Sequence, residues 1–349
     1  MSESSPITYR SAGVDIDAQE AALSKAKDAV RATFTPGVLS DMGLFGGLFD
    51  LERVGAQGHV LVASADGVGT KLDVAKRCGV HDTVGRDLVQ HCIGDILVQG
   101  AKPLFFMDYV GTGRLEPDVV SDLIRGCAEA CRDNGLALLG GETAEMPGLY
   151  GDGDFDLVGF IVGAVARDKV LDGSRVAPGQ TLLGLRSSGL HTNGYSLARK
   201  VIFDHLGLDV SSTPEALGGK TVGEALLAPH RSYLNLLWPL LEESRIAALA
   251  HITGGGLIDN VPRVLGSVDA RIDTKAWDPP GLFHLIVDAA RIDRDEAYRA
   301  LNMGIGMVLF VEDAHLEAVE AHLKACGEDS VRIGSTVVGA ESEGQVRWA

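Results

Sequence analysis

The sequence predicts an α/β protein built from two domains. Short apolar runs typical of buried strands alternate with stretches whose apolar residues recur at helical spacing. This alternation is typical of sheets covered by helices. The chain has 349 residues, which is too long for one ordinary hydrophobic core. A polar, turn-rich segment at residues 168–179 marks the predicted boundary, so we expect domains at residues 1–170 and 171–349.

The charge balance argues against two classes of partner. Lysine and arginine total 31 against 48 aspartate and glutamate residues, which gives a net charge of −17. This charge repels nucleic acid and anionic membranes, so we expect neither as a partner. No run of 18 apolar residues is present, and the first residues lack the pattern of a signal peptide. We therefore expect a cytoplasmic location.

The five cysteines do not form a metal-binding pattern. They are an odd number, scattered singly, with no C-x-x-C pair, which disfavours a zinc site. Cys127 and Cys131 lie four residues apart on a predicted helix. They can be interpreted as a redox pair or as two small core residues, and the core interpretation is favoured.

The stretch at residues 64–71 is the first candidate for a binding site. It follows an apolar strand at residues 59–63 and combines two glycines with Asp66, Thr70 and Lys71. Glycine amides and a lysine can hold phosphate oxygens, and a carboxylate can hold Mg²⁺. The alternative interpretation is an ordinary strand-to-helix turn with a surface lysine.

A predicted helix at residues 84–99 carries the second candidate. Asp87, His91 and Asp95 are spaced four residues apart and share one side of this helix. Two carboxylates on one side repel each other unless a cation or hydrogen-bond donors lie between them. The alternative is a solvated helix face.

Further polar loops follow predicted strands. Residues 140–148 combine glycines with Glu142, residues 187–194 combine hydroxyls and His191 before a helix, and residues 253–256 are glycine-rich. Each loop alone is weak evidence, and a lone histidine such as His191 is more often structural than catalytic. Together they predict a site for a phosphorylated ligand, Mg²⁺ and a nucleotide.

Several blocks resemble those of one enzyme family in sequence and order. The chain is similar to the phosphoribosylformylglycinamidine cyclo-ligases, also called aminoimidazole ribonucleotide synthetases. The runs GGETAEMPG and SSGLHTNGYSL are the most specific blocks. The matching blocks lie at residues 9–15, 66–71, 95–101, 103–109, 140–148, 187–197, 251–257 and 302–307.

The resemblance implies an ATP-dependent ring closure. Formylglycinamidine ribonucleotide and ATP would give aminoimidazole ribonucleotide, ADP and phosphate, with Mg²⁺ bound beside the ATP. The family mechanism begins with phosphorylation of the formyl amide oxygen. The family fold is two α/β domains of mixed sheet packed by helices. The N-terminal halves of two subunits pair into a barrel, which makes a homodimer.

The resemblance also implies roles for individual residues. The implied catalytic residues are His191, Lys71 and Asp95. The implied metal ligands are Asp66, Asp95 and Glu142. The residues implied to bind ATP are Asp66, Gly67, Gly69, Thr70, Lys71, Gly254, Gly255 and Gly256. The residues implied to bind the substrate are Ser187, Ser188, His191 and Asn193.

The sequence departs from the family pattern at several positions. Gly94 replaces the asparagine that usually precedes Asp95, and His230 stands where threonine is common. Arg10, Ser11 and Arg86 also differ from the usual residues. Gly94 removes a possible ligand, and it is the feature that favours a rival hypothesis, a non-catalytic nucleotide-binding scaffold. The intact acids and Lys71 argue against that rival.

Overall fold

The computed structural model of the chain describes residues 16–39 and 49–349. The family-like block at residues 9–15, with the departures at Arg10 and Ser11, lies outside the described residues. Residues 34–51 are rich in glycine and aromatic residues, a composition that predicts an ordered loop, and the middle of this stretch also lies outside the described residues.

The described residues form alternating helices and strands. The helices are α1 (Ile16–Arg31), α2 (Lys71–Cys78), α3 (Asp82–Leu97), α4 (Pro117–Asn134), α5 (Tyr195–Arg199), α6 (Val222–Leu226), α7 (Leu234–Glu242), α8 (Gly256–Asn260), α9 (Gly281–Ala290), α10 (Arg294–Ala300) and α11 (Asp313–Ala325). The strands are β1 (Val60–Gly67), β2 (Lys102–Thr112), β3 (Ala137–Glu145), β4 (Phe155–Val165), β5 (Thr181–Arg186), β6 (Ala248–His251), β7 (Val268–Ile272), β8 (Ile305–Val311), β9 (Val331–Val338) and β10 (Val346–Trp348).

The chain divides into two compact units that do not follow the sequence in a single cut. Among the described residues, the first unit contains 16–39, 49–57, 63–92 and 104–162, and the second contains 58–62, 93–103 and 163–349. Helix α3 begins in the first unit and ends in the second.

A four-stranded sheet with the order β1-β4-β2-β3 belongs mainly to the first unit. Strands β2 and β3 are parallel, and Asp108 and Tyr109 on β2 lie opposite Gly141 and Glu142 on β3. Helix α4 contributes a buried face to this unit, because apolar residues recur along it at helical spacing. The buried apolar side chains of this face include Val120, Leu123, Ile124, Cys127 and Cys131.

The second unit contains a six-stranded sheet with the order β10-β7-β9-β5-β8-β6. Strand β8 is antiparallel to both of its neighbours, β5 and β6. Arg186 at the end of β5 therefore pairs with Ile305 at the start of β8, and His251 at the end of β6 pairs with Met307. The loops that follow β5 and β6 and the loop that precedes β8 consequently meet at one edge of the sheet.

The predicted strand at residues 59–63 and the predicted helix at residues 84–99 are confirmed as β1 and α3, and local signals mark the ends of other helices. Pro117 begins α4, where a missing N–H costs nothing. Gly79 and Gly135 end α2 and α4 in the left-handed conformation that favours glycine. Sequence reasoning passed over the elements α6, α7, α9, α10, β7 and β10.

Two predicted loops are strands in part. Strand β1 continues through Asp66 and Gly67, and β3 continues through residues 140–145. The prediction that these glycine-and-acid stretches are loops was wrong for those residues. In β3 the cause is tertiary, because residues 140–145 pair with β2 along their length.

The buried cysteines of the first unit are core residues, as the favoured interpretation predicted. All five cysteines lie in the described part of the chain, and none forms a disulfide. Burial raises the pKa of the Cys127 and Cys131 thiols well above the usual value, and the nearby Asp108 carboxylate adds to the effect. Thiols with such raised pKa values are poor nucleophiles. In the chain outside residues 1–15 and 40–48, no helix is long and apolar enough to cross a membrane.

Asp108 is a largely buried acid in the middle of β2. Burial raises the pKa of its carboxyl to about 7, because the ionised form loses its hydration. A Cβ on residue 141 would overlap the carboxylate, so a glycine is needed opposite Asp108.

We expect Asp108 to make the protein less stable as the pH rises. The folded state holds this proton more tightly than the unfolded state, so the free energy of unfolding falls between about pH 4 and pH 7 and is unaffected by this group above that range. Because Asp108 is partly exposed, we expect a loss of about 2–4 kcal/mol. Asp108→Asn should abolish this loss when urea unfolding is compared at about pH 5 and about pH 8.

The matched control is Asp152→Asn, which changes an exposed acid of the same unit. Its pH profile should follow that of the wild type. If the free energy of unfolding of Asp108→Asn fell with pH as that of the wild type does, Asp108 would not be the group responsible.

Candidate active site

The polar side of α3 is buried, not solvated. Asp87 has no exposed surface and His91 is 2% exposed. The Asp95 side chain is 25% exposed. Each of the three contacts a polar partner from another element, because a buried polar group without a partner is costly. The solvated-face alternative is therefore wrong.

Lys71 forms a buried ion pair with Asp87. Its Nζ lies 2.6 Å from Asp87 Oδ2, and both side chains are fully buried. Burial lowers the pKa of the Lys71 ammonium, and the Asp87 charge opposes part of that effect. The surface-lysine alternative is wrong. In this structure the ammonium faces Asp87, so contact with a phosphate requires this pair to open.

Asp66 ends β1 with a carboxylate that is partly open to solvent. Its Oδ2 lies 2.6 Å from His91 Nε2, and its Oδ1 accepts the Gly67 N–H at 2.6 Å. The side chain remains 43% exposed, and a carboxylate has about four acceptor positions. Gly69, with φ +67°, and Thr70 then lead into α2. Asp66 is thus able to accept an additional ligand.

Glu142 lies on β3 and is exposed. Its carboxylate oxygens are of the type that Mg²⁺ prefers. Among the residues that the structure describes, Glu142 does not join a group of three or more potential metal ligands. The oxygen donors of Asp66 and Glu142 are thus of the type that binds Mg²⁺, but the structure does not bring Glu142 into such a group of described residues.

In the second unit, hydrogen bonds tie the loop after β5 to the loop before β8. Ser187 Oγ donates to Asn302 Oδ1 at 3.1 Å, and the Ser187 N–H donates to the Gly304 carbonyl at 2.9 Å. Asn302 Nδ2 donates to the Gly189 carbonyl at 2.9 Å. Ser188 Oγ donates to the Pro229 carbonyl at 2.5 Å. These bonds fix two of the predicted substrate-binding residues at the sheet edge.

His191 is buried in the same loop with a strained backbone. Its φ is +61°, a conformation that residues with a side chain rarely adopt. Its Nε2 accepts the Ser188 N–H at 3.2 Å, and its ring stacks on His230 with centroids 3.8 Å apart. The surrounding contacts fix the position of the ring, and such strain is found most often at functional sites.

Asn193 lies beside the predicted glycine loop. A Cβ on Gly254 would lie 3.2 Å from Asn193 Oδ1, so the two residues are neighbours. Gly255, with φ +95°, and Gly256 then begin α8. The structure thus brings the predicted glycine loop at residues 254–256 to the predicted substrate loop.

Asp95 contacts His251, a residue that sequence reasoning did not assign to the site. His251 Nδ1 lies 3.0 Å from Asp95 Oδ1, and His251 Nε2 lies 3.2 Å from His230 Nε2. Gly94 makes this arrangement possible, because a Cβ at position 94 would overlap the His251 ring. Packing against the His251 ring therefore requires a glycine at position 94 in this chain.

His230, His251 and Asn302 are the polar residues of this site that sequence reasoning missed. His251 and Asn302 each begin a block that resembles the family, so the sequence offered a signal for both. His230 carried a weaker signal, since it only departed from the usual threonine. Their contacts come from segments distant in the sequence, which local patterns do not reveal.

We expect the Lys71–Asp87 pair to be structurally essential. Asp87→Ala leaves a buried ammonium without its counter-charge, so the free energy of unfolding should fall by about 3–5 kcal/mol in urea titrations. The double variant Lys71→Met/Asp87→Leu should recover most of this loss, because it removes both charges.

The matched control is Asp154→Ala. It breaks the Lys76–Asp154 pair, which has the same 2.6 Å distance but side chains that are 43% and 55% exposed. That change should cost about 0–1 kcal/mol. If Asp87→Ala and Asp154→Ala lowered the free energy of unfolding equally, burial would not be what makes the Lys71–Asp87 pair essential.

Solved structures of low sequence identity share this fold. Thiamine-monophosphate kinase from Stenotrophomonas maltophilia K279a has a TM-score of 0.70 and 18% identity, and the match covers 93% of this chain and 95% of that one. The hydrogenase maturation protein HypE in complex with ATP has a TM-score of 0.65 and 18% identity, with 95% and 90% covered. At this identity, the similarity establishes the fold alone.

Sequence comparisons are more specific. Residues 45–165 match the N-terminal domain of AIR synthase related proteins, and residues 177–347 match the C-terminal domain. The phosphoribosylformylglycinamidine cyclo-ligase of Trichlorobacter lovleyi is 49% identical over 94% of this chain and 94% of its own length. The enzyme of that name from Syntrophotalea carbinolica is 49% identical over 98% and 97%. The chain therefore belongs to the AIR synthase related family, and its near-full-length relatives are phosphoribosylformylglycinamidine cyclo-ligases.

Proposed function

We propose that the chain catalyses the ATP-dependent cyclisation of formylglycinamidine ribonucleotide to 5-aminoimidazole ribonucleotide in purine biosynthesis. The products would also include ADP and phosphate. The observation that carries this proposal is the near-full-length match to relatives of that name at 49% identity.

The reaction needs an activated leaving group. An amide oxygen leaves poorly, so the formyl oxygen first takes the terminal phosphoryl group of ATP and ADP departs. The amidine nitrogen then attacks the activated carbon, the carbon–oxygen bond breaks and phosphate is released. In such a reaction the protein mainly positions the reactants and stabilises charge.

The loops at the edge of the second sheet are suited to holding the substrate. We assign Ser187, Ser188 and Asn193 to substrate binding and His191 to proton transfer or polarisation of the formyl group. The buried position of His191 supports this role, because its hydrogen bond to Ser188 fixes the ring. Asp95 would hold the His251 ring in one orientation through their 3.0 Å contact.

The glycine-rich segments are assigned to the nucleotide. Gly69, Thr70, Gly254 and Gly255 would approach the phosphates through backbone amides. Gly67 and Gly256, whose N–H groups donate to Asp66 Oδ1 and to the Thr253 carbonyl, would let the backbone come close to the nucleotide. Lys71 would contact a phosphate only after leaving Asp87. We assign Mg²⁺ to the carboxylates of Asp66, Asp95 and Glu142, where it would neutralise phosphate charge. The open carboxylate of Asp66 supports this assignment.

We further propose a homodimer formed through the N-terminal sheet, as the family fold implies. Leu61 on β1 and Phe160 on β4 support this proposal, since they are 52% and 44% exposed and exposed apolar residues on one sheet suit an interface. The matched ranges 45–165 and 177–347 support a boundary near residue 170. The cytoplasmic location stays a prediction.

No observation favours the rival non-catalytic scaffold. Gly94 was its main support, and the position of the His251 ring explains why a glycine is needed there. The chain contains all four of the charged residues assigned to the site: Asp66, Lys71, Asp95 and Glu142.

The proposed reaction can be tested by following two products together. With Mg-ATP and formylglycinamidine ribonucleotide, the purified protein should release ADP and aminoimidazole ribonucleotide in equal amounts. Without the ribonucleotide, ADP release should be negligible. ATP binding with no substrate-dependent turnover would refute the proposed function and support the scaffold.

A variant pair tests the role of His191 within this assay. His191→Gln should lower kcat by at least about 100-fold, because a positioned acid–base group contributes about that much. His205→Gln, which changes an exposed histidine of the same unit, should leave kcat unchanged. Equal kcat values in the two variants would remove His191 from the mechanism.

A further inference from the structure

Three histidines of the second unit form a buried cluster. His191 and His230 are each 1% exposed, and His251 is 5% exposed. One ring nitrogen from each lies within 4.8 Å of a nitrogen of the other two. The three residues come from the loop after β5, the loop before α7 and the end of β6.

The partners of two rings decide where their protons lie. His230 Nδ1 lies 2.8 Å from the Arg231 carbonyl oxygen, which can only accept a hydrogen bond. His251 Nδ1 lies 3.0 Å from the Asp95 carboxylate, which also accepts when it is ionised. Both Nδ1 atoms therefore carry hydrogen. In the neutral rings, both Nε2 atoms are left with lone pairs.

These two lone-pair nitrogens face each other. His251 Nε2 and His230 Nε2 are 3.2 Å apart. When both rings are neutral, two acceptors at this distance repel each other, so either a shared proton or a bound metal ion has to lie between them. Two nitrogens bound to one tetrahedral Zn²⁺, each at about 2.0–2.1 Å, lie about 3.3–3.4 Å apart. The observed spacing is close to that value.

We propose that His230 and His251, with His191 as the third ligand, form a binding site for a divalent transition-metal ion of the Zn²⁺ class. Imidazole nitrogen suits Zn²⁺, Cu²⁺ and Ni²⁺, whereas Mg²⁺ prefers oxygen ligands. The ligand atoms of this site are therefore nitrogens, unlike the carboxylate oxygens assigned to Mg²⁺ with ATP, although Asp95 contacts His251.

The surroundings of the two rings support metal binding. Metal-bound histidines almost always donate their second ring N–H to a carboxylate or a backbone carbonyl, and such partners orient the ring. Asp95 and the Arg231 carbonyl hold these positions. Gly94 leaves the space in which the His251 ring reaches both Asp95 and His230.

His191 completes the set after a rotation of its ring. In this structure it stacks on His230 with an interplanar angle of 25°, and its Nε2 accepts the Ser188 N–H. Two stacked rings cannot point their lone pairs at one ion. Metal binding should therefore break the hydrogen bond from the Ser188 N–H and turn the His191 ring out of the stack.

The test is metal binding by the full-length, untagged protein after treatment with a chelator and in the absence of nucleotide. Equilibrium dialysis against Zn²⁺ with elemental analysis should give one ion per chain. Co²⁺ should give the intense visible absorption of a tetrahedral site. With Cu²⁺, pulsed electron paramagnetic resonance should detect coordinated imidazole, a measurement that needs no variant.

Three variants separate this site from other zinc binding. His230→Thr removes a ligand, and Gly94→Ala displaces the His251 ring while keeping every ligand. Each should weaken Zn²⁺ binding by more than about 100-fold, whereas Asp95→Asn should weaken it by about 10- to 100-fold. The control His284→Gln changes an exposed histidine that contacts Asp278 and should leave the affinity unchanged. Circular dichroism would confirm that each variant is folded.

The proposal is overturned if wild-type protein binds no Zn²⁺, or if folded His230→Thr and Gly94→Ala bind it as wild type does. A shared proton between the two Nε2 atoms would then explain their spacing. Turnover with Mg-ATP is measured separately, so the failure of metal binding and the failure of the cyclo-ligase proposal are distinguishable.

Discussion

The packing of three polar side chains on α3 against other segments, with Asp87 and His91 buried and Asp95 partly buried, is the constraint on which the site depends. Asp87, His91 and Asp95 lie along one side of this helix, and a buried charge without a partner is too costly to persist. Each therefore requires a partner from another segment. The partners Lys71, Asp66 and His251 lie at the start of α2, the end of β1 and the end of β6. The same contacts that stabilise the helix thus position residues assigned to catalysis.

The directions of strands β5, β6 and β8 also position the site. Because β8 is antiparallel to β5 and β6, the polar loops at residues 187–194, 253–256 and 302–304 meet at one edge of the second sheet. Asn302 joins two of them by accepting from Ser187 and donating to Gly189. Close packing in this region leaves no room for a Cβ at Gly306, whose neighbours are Tyr233 and His191. The rigid sheet thereby fixes loops that carry most of the assigned substrate-binding residues.

Local patterns predicted much of this fold, and long-range contacts account for what they missed. Pro117 and Gly135 indicate the two ends of α4, because proline is tolerated in the first helical turn and glycine adopts the left-handed conformation that ends a helix. The glycine-and-acid stretch near Glu142 looked like a loop, but its pairing with β2 made it a strand. The spacing of Asp87, His91 and Asp95 indicated a shared helix side without showing whether it was buried. His230 and His251 could not be paired from sequence, since 21 residues separate them.

The most direct test of this account is a double-mutant cycle between Asp95 and His251, read out as the rate of aminoimidazole ribonucleotide formation. If Asp95 acts by holding the His251 ring, Asp95→Asn and His251→Gln should be strongly non-additive, with a coupling free energy of about 0.5–3 kcal/mol. The double variant should then be little slower than the slower single variant. Additive losses would show that the two residues act independently, which would contradict the claim that the buried contacts of α3 organise the site.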